Sequence, residues 1–154
     1  MNIGFRPAQP EDLAFARNLY FETMRWVIER LFGWDQAREE ENFAGFFKLD
    51  EVSIITVDGF DAGWIQERSE DTLISLGSFY VVPAMQRQGI GTRVLKTILE
   101  RARSQSKAVT LAVVKINPAL HFYARHGFRI THEDEYKFYM RADPLGETSP
   151  GGSN

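Results

Sequence analysis

The stretch Phe79-Tyr80-Val81-Val82-Pro83-Ala84-Met85-Gln86-Arg87-Gln88-Gly89-Ile90-Gly91-Thr92 decides how the chain is read. Its first part is a hydrophobic strand that runs into Val82-Pro83. A short polar turn follows and ends at Gly89-Ile90-Gly91. From Ile90 the apolar residues Val94, Leu95, Ile98, Leu99 and Ala102 recur at helical spacing, which predicts an amphipathic helix over Ile90–Ser104. Strand, glycine turn and helix start together form a place for a phosphate. The first N–H groups of a helix lack partners within it, and the helix dipole is positive at that end. Glycines let an anion approach the backbone closely.

The rest of the chain arranges itself around this unit. Upstream, residues 72–82 read as the long strand that feeds the turn. Before it, Val52–Val57 and residues 62–67 read as a hairpin about Asp58-Gly59. Residues 2–6 form a first strand. Pro10-Glu11-Asp12 opens a helix, with proline in its first turn and acids near its positive end. That helical pattern continues to Phe32 and stops at Gly33, long enough that two helices or a kink near residues 21–23 are expected. Trp34-Asp35 opens a further helix over residues 36–49, with Phe43, Phe46 and Phe47 on its apolar side. Downstream, Ala108–Val114 is a buried strand. Asn117-Pro118 caps a short helix that ends near His126-Gly127. Residues 128–131 and 136–140 make a last strand pair. The order is β-α-α-β-β-β-α-β-α-β-β, an α/β fold on about seven strands. Residues 1–141 read as one domain. Residues 142–154 are Pro/Gly/Ser-rich and read as a disordered tail.

Composition narrows the function. The chain has 154 residues, enough for one well-buried core. Its net charge of −3 argues against a general nucleic-acid partner. It has no cysteine, so disulfides, thiolate nucleophiles and Cys-ligated zinc are excluded, and a reducing cytoplasm is the expected setting. No metal is expected. The first dozen residues lack the apolar core of a signal peptide, and no apolar run approaches the roughly 18–20 residues of a membrane span.

Two familiar glycine motifs fail at the turn. A Walker loop requires Gly-Lys-Ser/Thr, whereas Gly91 is followed by Thr92-Arg93; a dinucleotide fingerprint requires a third glycine where Val94 stands. What remains is Gln86-Arg87-Gln88-Gly89-Ile90-Gly91 after Val81-Val82-Pro83. Downstream stands Asn117-Pro118-Ala119-Leu120-His121-Phe122-Tyr123-Ala124-Arg125-His126-Gly127-Phe128. The first motif resembles the acetyl-coenzyme A pyrophosphate loop of the GNAT superfamily of N-acetyltransferases. The second resembles that superfamily's Asn, Ala, Phe/Tyr-Tyr, Gly-Phe signature. The element order agrees, and the resemblance covers roughly residues 1–141.

The resemblance implies a mixed, mostly antiparallel sheet flanked by about four to five helices. It also implies transfer of an acetyl group from acetyl-CoA to a primary amine of a small molecule or protein. The backbone of Gln88, Gly89, Ile90, Gly91 and Thr92 would hold the pyrophosphate, with Gln86 and Arg87 adding side-chain donors. Phe79 and Val81 would pair with the pantetheine amides at a bulge in the strand. Asn117 and Phe122 would border that arm. Tyr123 would stand at the sulfur as general acid, since a free phenol (pKa about 10) and a free thiol (about 8.5) are nearly matched. A homodimer is common among proteins of this kind.

The base is less defined. Many members carry a glutamate on the strand before the loop, and residues 73–82 contain no carboxylate. Ser78 or Ser75 as a water relay, Glu22 and Glu67 are the candidates, or the acceptor arrives neutral. The missing acid also motivates an alternative: a non-catalytic acyl-CoA-binding sensor or interaction module. His126 reads as a helix C-terminal cap, His121 as exposed, and Glu39-Glu40-Glu41 as a solvated helix face. Trp26 and Trp34 read as packing residues that could wall an acceptor pocket.

Overall fold

The computed structural model describes residues 1–144. Its elements run β1 (Ile3–Pro7), α1 (Leu13–Phe32), α2 (Gln36–Phe46), β2 (Val52–Val57), β3 (Phe60–Ser69), β4 (Leu73–Val81), α3 (Ile90–Ser104), β5 (Ala108–Val114), α4 (Ala119–Arg125), β6 (Arg129–Glu133) and β7 (Lys137–Ala142). The seven strands form one sheet in the order β1-β2-β3-β4-β5-β7-β6. The pair β4/β5 is parallel, while β1/β2, β2/β3, β5/β7 and β6/β7 are antiparallel. This is the expected mixed α/β architecture. The described chain divides into two compact units, Met1–Gln66 with Ser78–Gly91, and Glu67–Gly77 with the described residues from Thr92 onward.

The first unit is organised by aromatic packing. Trp64 is fully buried, and its indole N–H donates to the Ala16 carbonyl on α1 at 3.0 Å. Phe43 stacks on Phe47 at 4.9 Å, and Tyr20 meets the Phe46 ring edge-on at 5.1 Å and the Tyr80 ring at 5.7 Å. Rings at such separations and tilts attract beyond their area burial. The β2–β3 turn has Asp58 at φ 50° and Gly59 at φ 86°, the two positive values that fit a tight hairpin to twisted strands.

Two helix expectations are corrected. α1 is one helix of 20 residues, without the expected division near residues 21–23. Nothing between Leu13 and Phe32 is proline or glycine, so the usual causes of a kink are absent from the sequence there. It stops at Gly33, whose φ of 75° few other residues tolerate. α2 ends at Phe46 rather than at 49, and Gln66 takes up its Phe46 carbonyl through a 2.9 Å hydrogen bond.

In the second unit, β4 pairs Leu73–Leu76 with Ala108–Leu111 of β5. The expected apolar face of α3 is the buried one: Val94, Leu95, Ile98 and Ala102 are at most 2% exposed. β7 extends to Ala142, and Asp143 accepts hydrogen bonds from Arg141 at 2.7 Å and Arg129 at 2.9 Å. Asp143 is thus bound to the strand pair, although it was read as part of the tail. The tail beyond Pro144, residues 145–154, lies outside the described residues.

Candidate active site

The turn ahead of α3 has an unusual backbone. Arg87 has φ 65° and Gly89 has φ 81°. Left-handed backbone is costly for a side chain such as arginine and cheap for glycine. A Cβ placed on Gly89 would meet nothing within 4 Å. The turn from Gln86 to Gly89 is exposed, and Ile90, 1% exposed, roots the helix that follows. The turn is thus open at Gly89, just ahead of a helix start, whose first N–H groups lack partners within the helix. The turn is braced internally. The Gln86 side-chain amide donates to the Val81 carbonyl at 2.9 Å, and that of Gln88 donates to Ala84 at 3.4 Å. Gln86 is therefore engaged with the backbone of its own turn, a role the sequence did not suggest.

The strand leading into the turn is fixed by close backbone approach. A Cβ on Gly63 would lie 2.0 Å from the Tyr80 carbonyl oxygen, so only glycine fits there. The Val82 N–H donates to the Ala62 carbonyl at 2.8 Å. Phe79 and Val81 flank Tyr80 on this segment, each half-buried. Ser78, just before them, is 7% exposed.

On α4, Asn117 Oδ1 accepts the Ala119 N–H at 3.0 Å, the expected cap. Tyr123 packs edge-on against Phe122 at 5.4 Å and Phe128 at 5.6 Å. Burial raises its phenol pKa to about 12. His126 Nδ1 lies 2.8 Å from the Phe122 carbonyl, as a helix C-terminal cap, and His121 is exposed.

The base candidates fall in different settings. Glu22 is exposed on the unbroken α1. Glu67 is held by Arg101 of α3, and burial raises its carboxyl pKa against the lowering effect of that arginine. Trp34 is tied into packing: it meets Phe21 at 5.3 Å, carries the Arg25 guanidinium at 4.6 Å and donates to Gln36. Trp26 is 44% exposed.

Glu39 was read as part of a solvated face and is corrected: it is 4% exposed. Its carboxylate takes the Arg38 Nε at 2.8 Å, and its charge adds to burial in raising the Tyr20 phenol pKa. The signal was in the spacing, since Glu39 precedes Phe43 by one helical turn and shares its inward face. Among the described residues no cluster of acidic or histidine side chains is arranged to hold a metal ion, and no helix is long and apolar enough to cross a membrane.

Sheet order and the glycine turn ahead of α3 together define a mixed α/β fold. Residues 40–130 match the family profile described as "Acetyltransferase (GNAT) domain". That is more than half of the chain, which belongs to the GNAT superfamily of N-acetyltransferases. Solved structures agree in fold. The PaiA N-acetyltransferase from Thermoplasma acidophilum, in complex with coenzyme A, matches with a TM-score of 0.76 at 19% identity, over 93% of this chain and 99% of that one. The ribosomal-protein-S18-alanine N-acetyltransferase from Escherichia coli gives 0.66 at 19% identity, over 97% and 99%. Arabidopsis thaliana Naa50, in complex with the bisubstrate analogue CoA-Ac-MVNAL, gives 0.64 at 16% identity, over 93% and 99%. No curated protein matches the chain in sequence.

Proposed function

We propose that the protein is an acetyl-CoA-dependent N-acetyltransferase that acts on a primary amine of a small molecule or a protein. The observation that carries this reading is the open turn ahead of α3, with Arg87 and Gly89 both at positive φ. The backbone N–H groups of Gln88, Gly89, Ile90, Gly91 and Thr92 would hold the pyrophosphate, and Arg87 would offset part of its charge. Gln86 would act by bracing the turn. Phe79 and Val81 would offer backbone groups to the pantetheine arm, with Asn117 and Phe122 beside it. Acetyl-CoA supplies an activated acyl thioester.

Tyr123 would face the departing sulfur. With its phenol pKa at about 12, it stays protonated throughout the physiological range. Full proton transfer to a thiol of pKa about 8.5 would be uphill by about 5 kcal/mol. Its role is therefore to donate a hydrogen bond as charge develops on sulfur, a shift from the balanced transfer that free pKa values suggest. Ser78, buried on β4, would orient a water that relays the proton of the amine outward to solvent, with exposed Glu22 as the second candidate for the base. A reducing cytoplasm suits a chain without cysteine, and the net charge speaks against nucleic acid.

Calorimetry on the full chain tests the reading. CoA and acetyl-CoA should each bind saturably, and Gly89→Glu should abolish both by placing a side chain and a negative charge in the phosphate position. Absence of binding to the unmutated protein at high concentration would overturn it. The absence of a carboxylate over residues 73–82 favours a second reading, a non-catalytic acyl-CoA sensor. Release of free thiol with any amine of a broad panel rejects that second reading.

A further inference from the structure

A cavity of about 500 Å³ lies within the second unit, bordered by the later turns of α3, the end of α4, the start of β5 and the end of β7. Its volume is in the range of small-molecule sites. It is a different place from the glycine turn: Arg103, on its border, lies roughly 20 Å along α3 from Ile90. Its wall includes Leu99, Ala102 and Val109, an apolar surface. Lys96, Arg103 and Arg125 also line it, and among the described residues none of these three side chains has a hydrogen bond or ion pair.

The acids nearby do not cancel this charge. Asp143 is already bound by Arg129 and Arg141, which leaves Glu100 as the one acid of the lining without a cationic partner among the described residues. Lys107, also at the border, donates to Ser69 at 2.7 Å. Three uncommitted cations against one carboxylate leave a net positive cavity over an apolar surface. Two guanidinium forks match the geometry of a phosphate better than that of a single carboxylate.

We propose that this cavity is a second ligand site, one that takes a phosphate monoester with an apolar body. The phosphate lies between Arg103 and Arg125 with Lys96 beside it, and the apolar body rests on Leu99, Ala102 and Val109. This does not depend on the acetyltransferase reading, because no residue of the glycine turn takes part.

Methyl NMR on the full chain tests it, with phenyl phosphate as probe, with and without saturating CoA. The methyls of Leu99, Ala102 and Val109 should shift saturably in both conditions. The double variant Arg103→Glu/Arg125→Glu should weaken binding at least tenfold with an unchanged melting temperature, and Lys96→Glu should give a smaller loss. Benzyl alcohol and inorganic phosphate should leave these methyls unmoved. Any of four results overturns the proposal: no shift at these methyls, displacement of the probe by CoA, equal shifts with inorganic phosphate (an adventitious ion only), or unchanged affinity in both charge variants. It is also overturned if deleting residues 145–154 shifts the same methyls with no ligand added, since the chain's own C-terminal residues would then be the occupant.

Discussion

Arg87 and Gly89 both hold positive φ, but not at equal cost. A side chain in left-handed backbone carries a penalty of about 1 kcal/mol or more relative to glycine. Arg87→Gly should therefore leave the melting temperature unchanged or raise it. The same change should weaken acetyl-CoA binding several-fold, since the guanidinium is lost and the turn loosened. Calorimetry and a thermal melt, run side by side, read the two opposed effects.

Tyr123 offers a second contrast. Tyr123→Phe should lower kcat about 10- to 100-fold while the affinity for acetyl-CoA changes less than twofold. With the phenol pKa at about 12, no alkaline fall in rate is expected from this residue below pH 11. The sign for stability runs the same way: the folded pKa lies above the unfolded value of 10, so the contribution is intact below pH 10 and is lost as pH rises toward 12. Melts between pH 9 and 12 should be flatter for Tyr123→Phe than for the parent protein. Glu39 marks the limit of sequence reading at this scale. Three consecutive glutamates look solvated as a group, and only their position relative to Phe43 singles one of them out.

Among the elements, α3 and the strands around it were legible because each follows one period without interruption. Ile90–Ser104 alternates apolar and polar residues at helical spacing, while Val52–Val57 and Ala108–Val114 are short β-branched runs closed by turn residues. α1 was misjudged from length alone; the absence of proline and glycine from it was the better guide. What could not be read from the sequence was the meeting of Gly63 with Tyr80. Glycine inside a strand signals a close approach but does not name its partner. Gly63→Ala should destabilise the protein by about 2–4 kcal/mol, because backbone atoms cannot yield as side-chain tips do. It should also reduce acetyl-CoA affinity by displacing Phe79 and Val81. A melt and a binding isotherm on the same sample measure both.

At the scale of the whole molecule, the glycine turn and the Asn117–Phe128 stretch were legible through the fixed spacing that a cofactor, under the proposed function, would impose on them. The acceptor side was not, since an amine can be met by many side chains from several helices and leaves no fixed pattern. Stability against acid depends on charge pairs that the sequence also conceals. Asp12 accepts two hydrogen bonds from Arg6 at 2.9 Å and one from the Gln9 N–H at 2.7 Å, and Arg6 above all holds its carboxyl pKa below the usual range. Asp143 is lowered in the same way, by Arg141 and then Arg129. A carboxyl with lowered pKa contributes stability above its unfolded value, here 3.8, and that contribution disappears as pH falls further. Thermal melts should therefore drop steeply below pH 4, and less steeply in Arg6→Met, which starts lower.

The contact of Gly63 with Tyr80 and the hydrogen bond from Val82 to Ala62 have a consequence in time as well as in space. Backbone contacts tie the end of β4 to β3, so under the proposed function acetyl-CoA would meet a template rather than a segment that must first be ordered. Association should then follow a single second-order phase, with a rate proportional to ligand concentration and no slower plateau. The Val82 amide proton, locked in the same place, should exchange with deuterium only when the whole fold opens.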